Sequence, residues 1–454
     1  MKIQLLGTGS SEGWPNPFCR CASCEAVRGT PDVRGQNSAL VDDVLLLDFG
    51  ADAPRAAMRF GVALDGVRHI LLTHAHDDHT APAGLTWRTW AGRREPLDLV
   101  GPPTALARCA DSIGPDDPVR LVPALPGETL QVGGYTVRPV KAEHAADAVL
   151  YDLTAPDGTR LLYATDTGPL PQSTVDALAG RAFDDVLLEL TFGTELGNTD
   201  GHLDFATFPA ALAELRRRDA IVDGTRVVAI HLSHRNPPPA ELSSRLARWG
   251  VTLHRDGDVL AARPAGSSRR RGPHRTLVVG GARSGKSSWA QSALAAEPAV
   301  TFVATAQADR GDPEWTARIA AHRGGRPAAW ETVETVDLEP LLDGDGVLLV
   351  DDLGNWLSRA LDAADAWNDP GGLDVVRKRG DALARAWAGT GARVVLVTNE
   401  VGQGVVPATP AGRLFRDELG RLNTALAAAG DEVVTMTAGL PRWLRGVPDR
   451  EMSR

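Results

Sequence analysis

The sequence predicts an α/β protein of two domains, and three observations carry that expectation. The chain has 454 residues, more than one ordinary hydrophobic core accommodates. Short apolar strands alternate with helical stretches in both halves, and no repeat relates the halves. Between them runs RPAGSSRRRGPH (263–274), rich in Pro, Gly, Ser and Arg and without apolar periodicity, the composition of an exposed linker. The expected domains are therefore 1–262 and 275–454.

Composition narrows the class. The apolar share of 43% and the charged share of 23% are those of a globular protein. A net charge of −10 argues against a surface that coats nucleic acid. No apolar run approaches the roughly 20 residues that span a bilayer. The opening MKIQLLGTGSSEG has too short an apolar stretch for a signal peptide and reads as a first strand, so a cytoplasmic location is expected. Of the 4 cysteines, Cys19, Cys21 and Cys24 crowd together as C-x-C-x-x-C, which points to metal rather than to a disulfide framework.

In chain order, strands are expected at Ile3–Leu6, at Val44–Asp48, which ends in Leu-Leu-Leu-Asp, and at His69–Thr73. Directly after the last of these come His74, His76, Asp78 and His79. Imidazoles and a carboxylate packed so densely on a loop suit Zn²⁺, Mn²⁺ or Fe. This H-x-H-x-D-H run resembles the metallo-β-lactamase-fold hydrolases, a resemblance that extends through most of residues 1–262 and implies an αββα sandwich. It implies that His74, His76 and His144 hold one metal, that Asp78, His79 and His231 hold a second, and that Asp166 in YATDTG bridges them. Asp48 matches the acid that orients the loop's histidines. Two catalytic Zn²⁺ or Mn²⁺ would share a hydroxide that attacks a phosphate ester.

Three thiolates need a fourth ligand for a closed tetrahedral Zn²⁺, and His234, three residues beyond His231, is the best candidate. Here the resemblance narrows to the cyclic phosphodiesterase of the carbon–phosphorus lyase pathway, which carries such a structural zinc. The same branch has a catalytic His matching His202 in GHLDF, which would protonate the leaving oxygen. Cys109, His69 and His254 have no partners at ligand spacing and read as structural. No stretch matches the exosite arm of the tRNA-processing nucleases of this fold, so a small phosphodiester or phosphomonoester is the expected substrate.

In the second half, Thr276–Val279 runs into Gly280-Gly281-Ala282-Arg283-Ser284-Gly285-Lys286-Ser287, and an Ala-rich helical stretch follows. This is G-x-x-x-x-G-K-S between a strand and a helix start, the phosphate-cradling loop. Its glycines and the helix N-terminus present N–H groups to phosphate, Lys286 reaches the β- and γ-phosphates, and Ser287 ligates Mg²⁺. Further strands are expected at Val300–Ala304, Val347–Val350, Val394–Thr398 and Glu432–Thr437. The strand from Val347 runs into Asp351-Asp352, where such proteins position Mg²⁺, with Asp351 the stronger candidate. Arg318 and His322 share a face of an expected helix that ends at Gly324-Gly325.

Together GGARSGKS (280–287), VATAQ (303–307), RI-x-x-H-x-x-x-RP (318–327), VTNEVGQGVVP (397–407) and RLFRDELGRLN (413–423) resemble the adenosylcobinamide kinase/adenosylcobinamide-phosphate guanylyltransferase family, over essentially all of 275–446. The resemblance implies a P-loop three-layer α/β domain that phosphorylates adenosylcobinamide from ATP or GTP. It also implies GMP transfer from GTP through a phosphoramidate on His322, with Arg318 and Arg326 neutralising the triphosphate. Asn399 and Glu400, after a strand end, are expected beside the nucleotide or corrinoid. Thr424 stands where Gln is usual in the family, and Asp352 where Cys is frequent. The expected partners are small molecules (adenosylcobinamide, GTP or ATP, a phosphate ester) and no nucleic acid, in a homo-oligomer. A competing reading makes the P-loop domain a GTP or corrinoid sensor regulating a metal-dependent phosphodiesterase.

Overall fold

The computed structural model describes residues 1–197, 201–261, 274–305 and 330–446, and the chain divides into two compact units, Met1–Arg270 and Arg271–Arg454. The segment with Arg318, His322 and Arg326 lies outside the described residues, as does the expected linker up to 273. His274, placed in the linker by composition, instead begins a strand: it pairs in register with Arg393, and its N–H donates to the Ala392 carbonyl at 3.3 Å.

The first unit contains two seven-stranded sheets. One runs in the order Val259–Leu260, Ile3–Gly7, Ser38–Val41, Leu45–Leu47, His69–Leu71, Leu97–Gly101, Val119–Pro123. Its pairings are antiparallel as far as Leu45–Leu47 and parallel beyond. The other carries the antiparallel strands Leu130–Val132, Tyr135–Lys141, Val149–Thr154 and Arg160–Ala164, then adds Asp185–Glu189, Arg226–Ile230 and Val251–Leu253 in parallel. Side chains alternate across a strand, so one apolar run serves two cores. Leu45, Leu47 and Leu71 meet Tyr151, Tyr163, Leu187 and Val228 of the other sheet in the central core. Leu46, Ile70 and Leu72 face outward, onto Ala53, Leu85 and Leu106 of the helices Ala53–Arg59, Ala83–Trp90 and Pro103–Ala110. Helices Gln172–Leu178, Thr207–Arg217 and Pro239–Arg248 bury Val175, Phe208, Leu212 and Leu246. The result is the metallo-β-lactamase αββα sandwich.

The second unit is a single seven-stranded sheet in the order Glu331–Glu334, Thr301–Ala304, Val347–Asp351, Arg393–Asn399, His274–Gly280, Glu432–Thr437, Leu440–Arg445, parallel except for the last strand. Leu277, Val279, Leu348, Val350 and Leu396 point to one face, against Trp356, Leu383, Trp387 and Leu422 from the helices Leu353–Ala363, Pro370–Gly389 and Pro410–Ala429. Val278, Phe302, Leu349 and Val395 point to the other, against Trp289, Ala290 and Ala293 of the helix Lys286–Ala293. This is the three-layer P-loop arrangement. Among the described residues no helix is long and apolar enough to cross a membrane.

Candidate functional site

In the first unit Asp48, Asp166 and His231 sit just past strand ends. Asp48 follows Leu45–Leu47, Asp166 follows Arg160–Ala164, and His231 follows Arg226–Ile230. All three adopt left-handed backbone, with φ of +59°, +47° and +51°. That conformation is uncommon without glycine and clusters at functional sites.

The loop 74–79 brings its four expected ligands together with His144, Asp166 and His231. His74 Nε2 and His144 Nε2 lie 2.9 and 3.1 Å from His76 Nδ1. Oδ2 of Asp166 lies 3.3 Å from His74 Nε2, 3.6 Å from His144 Nε2 and 3.2 Å from His79 Nε2, and its Oδ1 lies 2.9 Å from His231 Nε2. Asp78 Oδ2 is 3.1 Å from His79 Nε2 and 3.4 Å from His231 Nε2. Two groups here could each hold a metal ion, His74, His76, His144 with Asp166, and Asp78, His79, His231 with Asp166. The carboxylate of Asp166 belongs to both.

Two features of this set fit cations. His79 Nε2 is buried and makes no hydrogen bond among the described residues, although Oδ2 of Asp78 and Oδ2 of Asp166 stand 3.1 and 3.2 Å away. Charge agrees. Burial would push the Asp166 carboxyl up, yet the His231 and His79 imidazoles hold it well below the carboxylate range. Burial would push His231 down, yet Asp166 and Asp78 raise it to about 10. The buried carboxylates therefore demand positive charge, which divalent ions supply more directly than protons.

A second layer aims the ligands. Asp48 accepts from His79 Nδ1 at 2.7 Å, from the Thr73 N–H at 2.8 Å and from Tyr163 Oη at 3.0 Å. The Thr73 hydroxyl also donates to Asp48 and lies 3.1 Å from His74 Nδ1. With Nδ1 occupied in each ring, Nε2 faces the centre. The sequence alone does not single out Glu189, Thr191 or Phe192. Thr191 Oγ1 donates to Glu189 at 2.6 Å and stands 2.8 Å from His231 Nδ1. The one signal for Glu189 is an acid ending an apolar strand, Asp185–Glu189. His202 lies at the same rim. Its ring stacks 5.5 Å from that of His231 and stands 4.9 Å from that of His144, and its Nδ1 is 3.4 Å from Glu189 Oε1. Glu189, His202 and His231 thereby form a further donor group beside the other two.

Cys19, Cys21, Cys24 and His234 come together as another group able to hold a metal ion, with Cys21 Sγ 3.7 Å from His234 Nδ1. Against the effect of burial, hydrogen bonds from the Cys24 N–H and the His234 ring lower the Cys21 thiol to about 6, while burial and its sulfur neighbours push Cys24 up to about 12. The residues read as structural behave so. His69 pairs with Asp98 at 3.0 Å, His254 with Asp258 at 3.2 Å, and Cys109 is buried in the outer core.

In the second unit the glycine-rich turn follows the central strand His274–Gly280 and opens the helix at Lys286. Gly285 has φ +90°, and a Cβ there would lie 3.1 Å from the Gly439 Cα. A Cβ on Gly280 would lie 2.5 Å from Ser284 Oγ. Lys286 Nζ rests 3.4 Å from the Gly281 carbonyl, and Ser287 Oγ donates to Asp351 at 3.2 Å. Asp352 caps the helix Leu353–Ala363 through the Asn355 N–H and accepts from Asn399 Nδ2 at 3.0 Å. Glu400 donates its N–H to the Gly280 carbonyl at 3.0 Å, placing that loop at the phosphate cradle. Ala282 and Arg283 complete the turn, Arg283 with φ +56°.

Residues 276–444 match the family described as cobinamide kinase / cobinamide phosphate guanyltransferase, and residues 44–232 match the beta-lactamase superfamily domain. The bifunctional adenosylcobalamin biosynthesis protein CobP of Pseudomonas aeruginosa is 42% identical over 181 residues, which cover 38% of this chain and 99% of that protein. A ribonuclease Z of Mycobacterium sp. (strain KMS) is 30% identical over 205 residues, covering 40% of this chain and 66% of that protein. Zinc-bound PqqB from Methylobacterium extorquens is similar at 24% identity and a TM-score of 0.47, covering 58% of this chain and 100% of that one.

Proposed function

The chain belongs to the cobinamide kinase / cobinamide phosphate guanyltransferase family, and from that premise we propose how its residues divide two chemistries. In the P-loop unit, Lys286 draws on the β- and γ-phosphates of ATP or GTP while Ser287 and Asp351 hold Mg²⁺. The aminopropanol hydroxyl of adenosylcobinamide bonds to the γ-phosphorus, and the nucleoside diphosphate leaves. In the second reaction a neutral nitrogen of His322 bonds to the α-phosphorus of GTP as the bond to pyrophosphate breaks. The corrinoid's phosphate oxygen then displaces the imidazole and takes the GMP. Arg318 and Arg326 offset the triphosphate charge, and Asn399 and Glu400 flank the nucleotide.

The observation that supports this assignment is the Ser287–Asp351 contact at 3.2 Å, a hydroxyl and a carboxylate brought together at the strand ends beside Lys286. The test is incubation of the full chain with α-³²P-GTP. An acid-labile, base-stable label is expected, and its persistence in His322→Ala would reject that nucleophile.

We read the first unit as a metal-dependent phosphodiesterase or phosphatase for a small phosphate ester. His74, His76 and His144 would hold one Zn²⁺ or Mn²⁺, Asp78, His79 and His231 the other, and Asp166 both. When bound, such ions neutralise phosphate charge and lower the pKa of a shared water. The chain's own residues do the rest. Asp48 and Thr73 fix the imidazoles of the loop, Thr191 fixes His231, and His202 gives a proton to the departing oxygen. Cys19, Cys21, Cys24 and His234 would hold a structural Zn²⁺. The orphaned Nε2 of His79 carries this reading. Assaying cyclic and linear phosphate esters with Mn²⁺ or Zn²⁺ tests it: turnover is expected in the intact chain, and activity no higher than in His76→Ala would overturn it.

A further inference from the structure

Packing, rather than a directed hydrogen bond, holds the His202 ring: its Nδ1 lies 3.4 Å from Glu189 Oε1 but makes no hydrogen bond among the described residues. Three rings surround it, His231 stacked on one face, His144 at 4.9 Å, and Phe192, whose ring centroid lies 5.2 Å away edge to face. Of these neighbours Phe192 lies outside the expected metal-ligand groups, so what holds Phe192 bears on where His202 points. The Arg235 guanidinium lies 5.2 Å over the Phe192 ring, its Nε donates to Glu195 at 2.8 Å, and its Nη1 donates to Glu12 at 3.3 Å. The backbone joins in. The Arg235 carbonyl accepts from the Thr194 N–H at 3.1 Å and from the Thr194 hydroxyl at 2.8 Å. On either side, Ser233 Oγ donates to the Thr191 carbonyl at 2.5 Å and Asn236 Nδ2 to the Leu190 carbonyl at 2.8 Å. The approach is so close that a Cβ on Gly193 would lie 2.8 Å from the Arg235 carbonyl oxygen. Residues 233–236 thus form a splint along 190–195.

The other side of the splint is fastened to the cysteine loop. His234 Nδ1 stands 3.7 Å from Cys21 Sγ, and Ser23 Oγ donates to the Asn236 carbonyl at 2.7 Å. Glu12, Arg235's second carboxylate partner, lies 3.8 Å from His234 Nε2. We propose that Arg235 is a positioning residue for His202, and that the grip of the cysteine cluster on residues 233–236 is passed through it to the phosphate-ester site. The proposal rests on the reading of His202 as proton donor. It gives the cysteine cluster, which shares no residue with the donor groups of the phosphate-ester site, a lever on the protonation step.

The test uses the full chain loaded with Mn²⁺ and two substrates, bis(4-nitrophenyl) phosphate with a good leaving group and diphenyl phosphate with a poor one. A misplaced proton donor penalises the poor leaving group selectively, since general acid catalysis contributes on the order of 10²–10⁴-fold where it is needed. Arg235→Ala should lower kcat on the phenyl ester at least about tenfold and on the nitrophenyl ester less than about threefold, with KM and dinuclear metal content unchanged. Arg235→Lys should restore part of the loss, and Arg235→Ala should add nothing in a His202→Ala background. Cys21→Ser should reproduce the selective loss. Independently of turnover, amide hydrogen exchange across 190–197 should quicken in Arg235→Ala and in Cys21→Ser. Equal losses on both esters, an additive double variant or unchanged exchange would overturn the proposal. If His202→Ala itself fails to discriminate the esters, the proton-donor reading is what fails; if it discriminates and Arg235→Ala does not, only the positioning role falls.

Discussion

Asp48 belongs to neither donor group yet aims one of them: it is fully buried and accepts from His79, Thr73 and Tyr163 together. Asp48→Asn keeps the shape but places an amide against donors. It should lower metal affinity about 10–100-fold, the usual consequence of losing such a partner, measured as metal retained against a competing chelator. The cysteine cluster should show a pH dependence of definite sign. Cys21, lowered to about 6, is a thiolate at neutral pH, whereas Cys24, raised to about 12, must give up a proton to coordinate. Zinc uptake should therefore release protons and strengthen as pH rises, steepening below about pH 6 where Cys21 also protonates; chelator titrations at several pH values would show it. At this scale the sequence announces residues whose neighbours are close in the chain, such as His74 to His79. Residues whose partners are distant, such as His144, Asp166 and His231, are reached only through the family resemblance, and those outside the family's motifs stay hidden: Thr191 meets His231 40 positions away, and Arg235 meets Glu195 at the same separation.

Among elements, legibility follows burial. Thr301–Ala304, Val347–Asp351, Arg393–Asn399 and Glu432–Thr437 agree with expectation to within a residue at each end, because strands covered by helices on both faces read as unbroken apolar runs. The edge strands Glu331–Glu334 and Leu440–Arg445 escape such a reading: ETVE and LPRWLR are largely exposed and carry no apolar run. The phosphate loop is legible because its glycines are dictated by backbone geometry. Gly285→Ala must force a side chain into φ +90° and against Gly439. The left-handed conformation alone costs about 1–2 kcal/mol, so urea unfolding should show a loss of that order in the second unit. Nucleotide titration should show an affinity at least about tenfold weaker, taking about 1.4 kcal/mol per decade.

For the molecule as a whole, each unit has its own cores, Leu47, Tyr151 and Leu187 among the residues of one, Leu277, Trp356 and Leu396 among those of the other. Two cooperative transitions are expected in calorimetry rather than one. Mg²⁺ with GTP should raise one transition temperature, and a zinc chelator should lower the other, because each ligand binds one folded unit. A single transition responding to both would contradict this. The division into two α/β units is legible from RPAGSSRRRGPH and from the change of motif across it. The antiparallel pairing within the first unit is not, since Ser38–Val41 and Leu130–Val132 are too short to carry a pairing signal of their own. Separate cores on one polypeptide also fix supply. The ribosome delivers the two activities in equal copies, and a lesion such as Trp356→Ala, about 3–5 kcal/mol in one core, would expose the entire product to proteolysis. A metallo-β-lactamase-fold unit with nothing wrong in its own half would then disappear alongside the kinase and guanyltransferase unit.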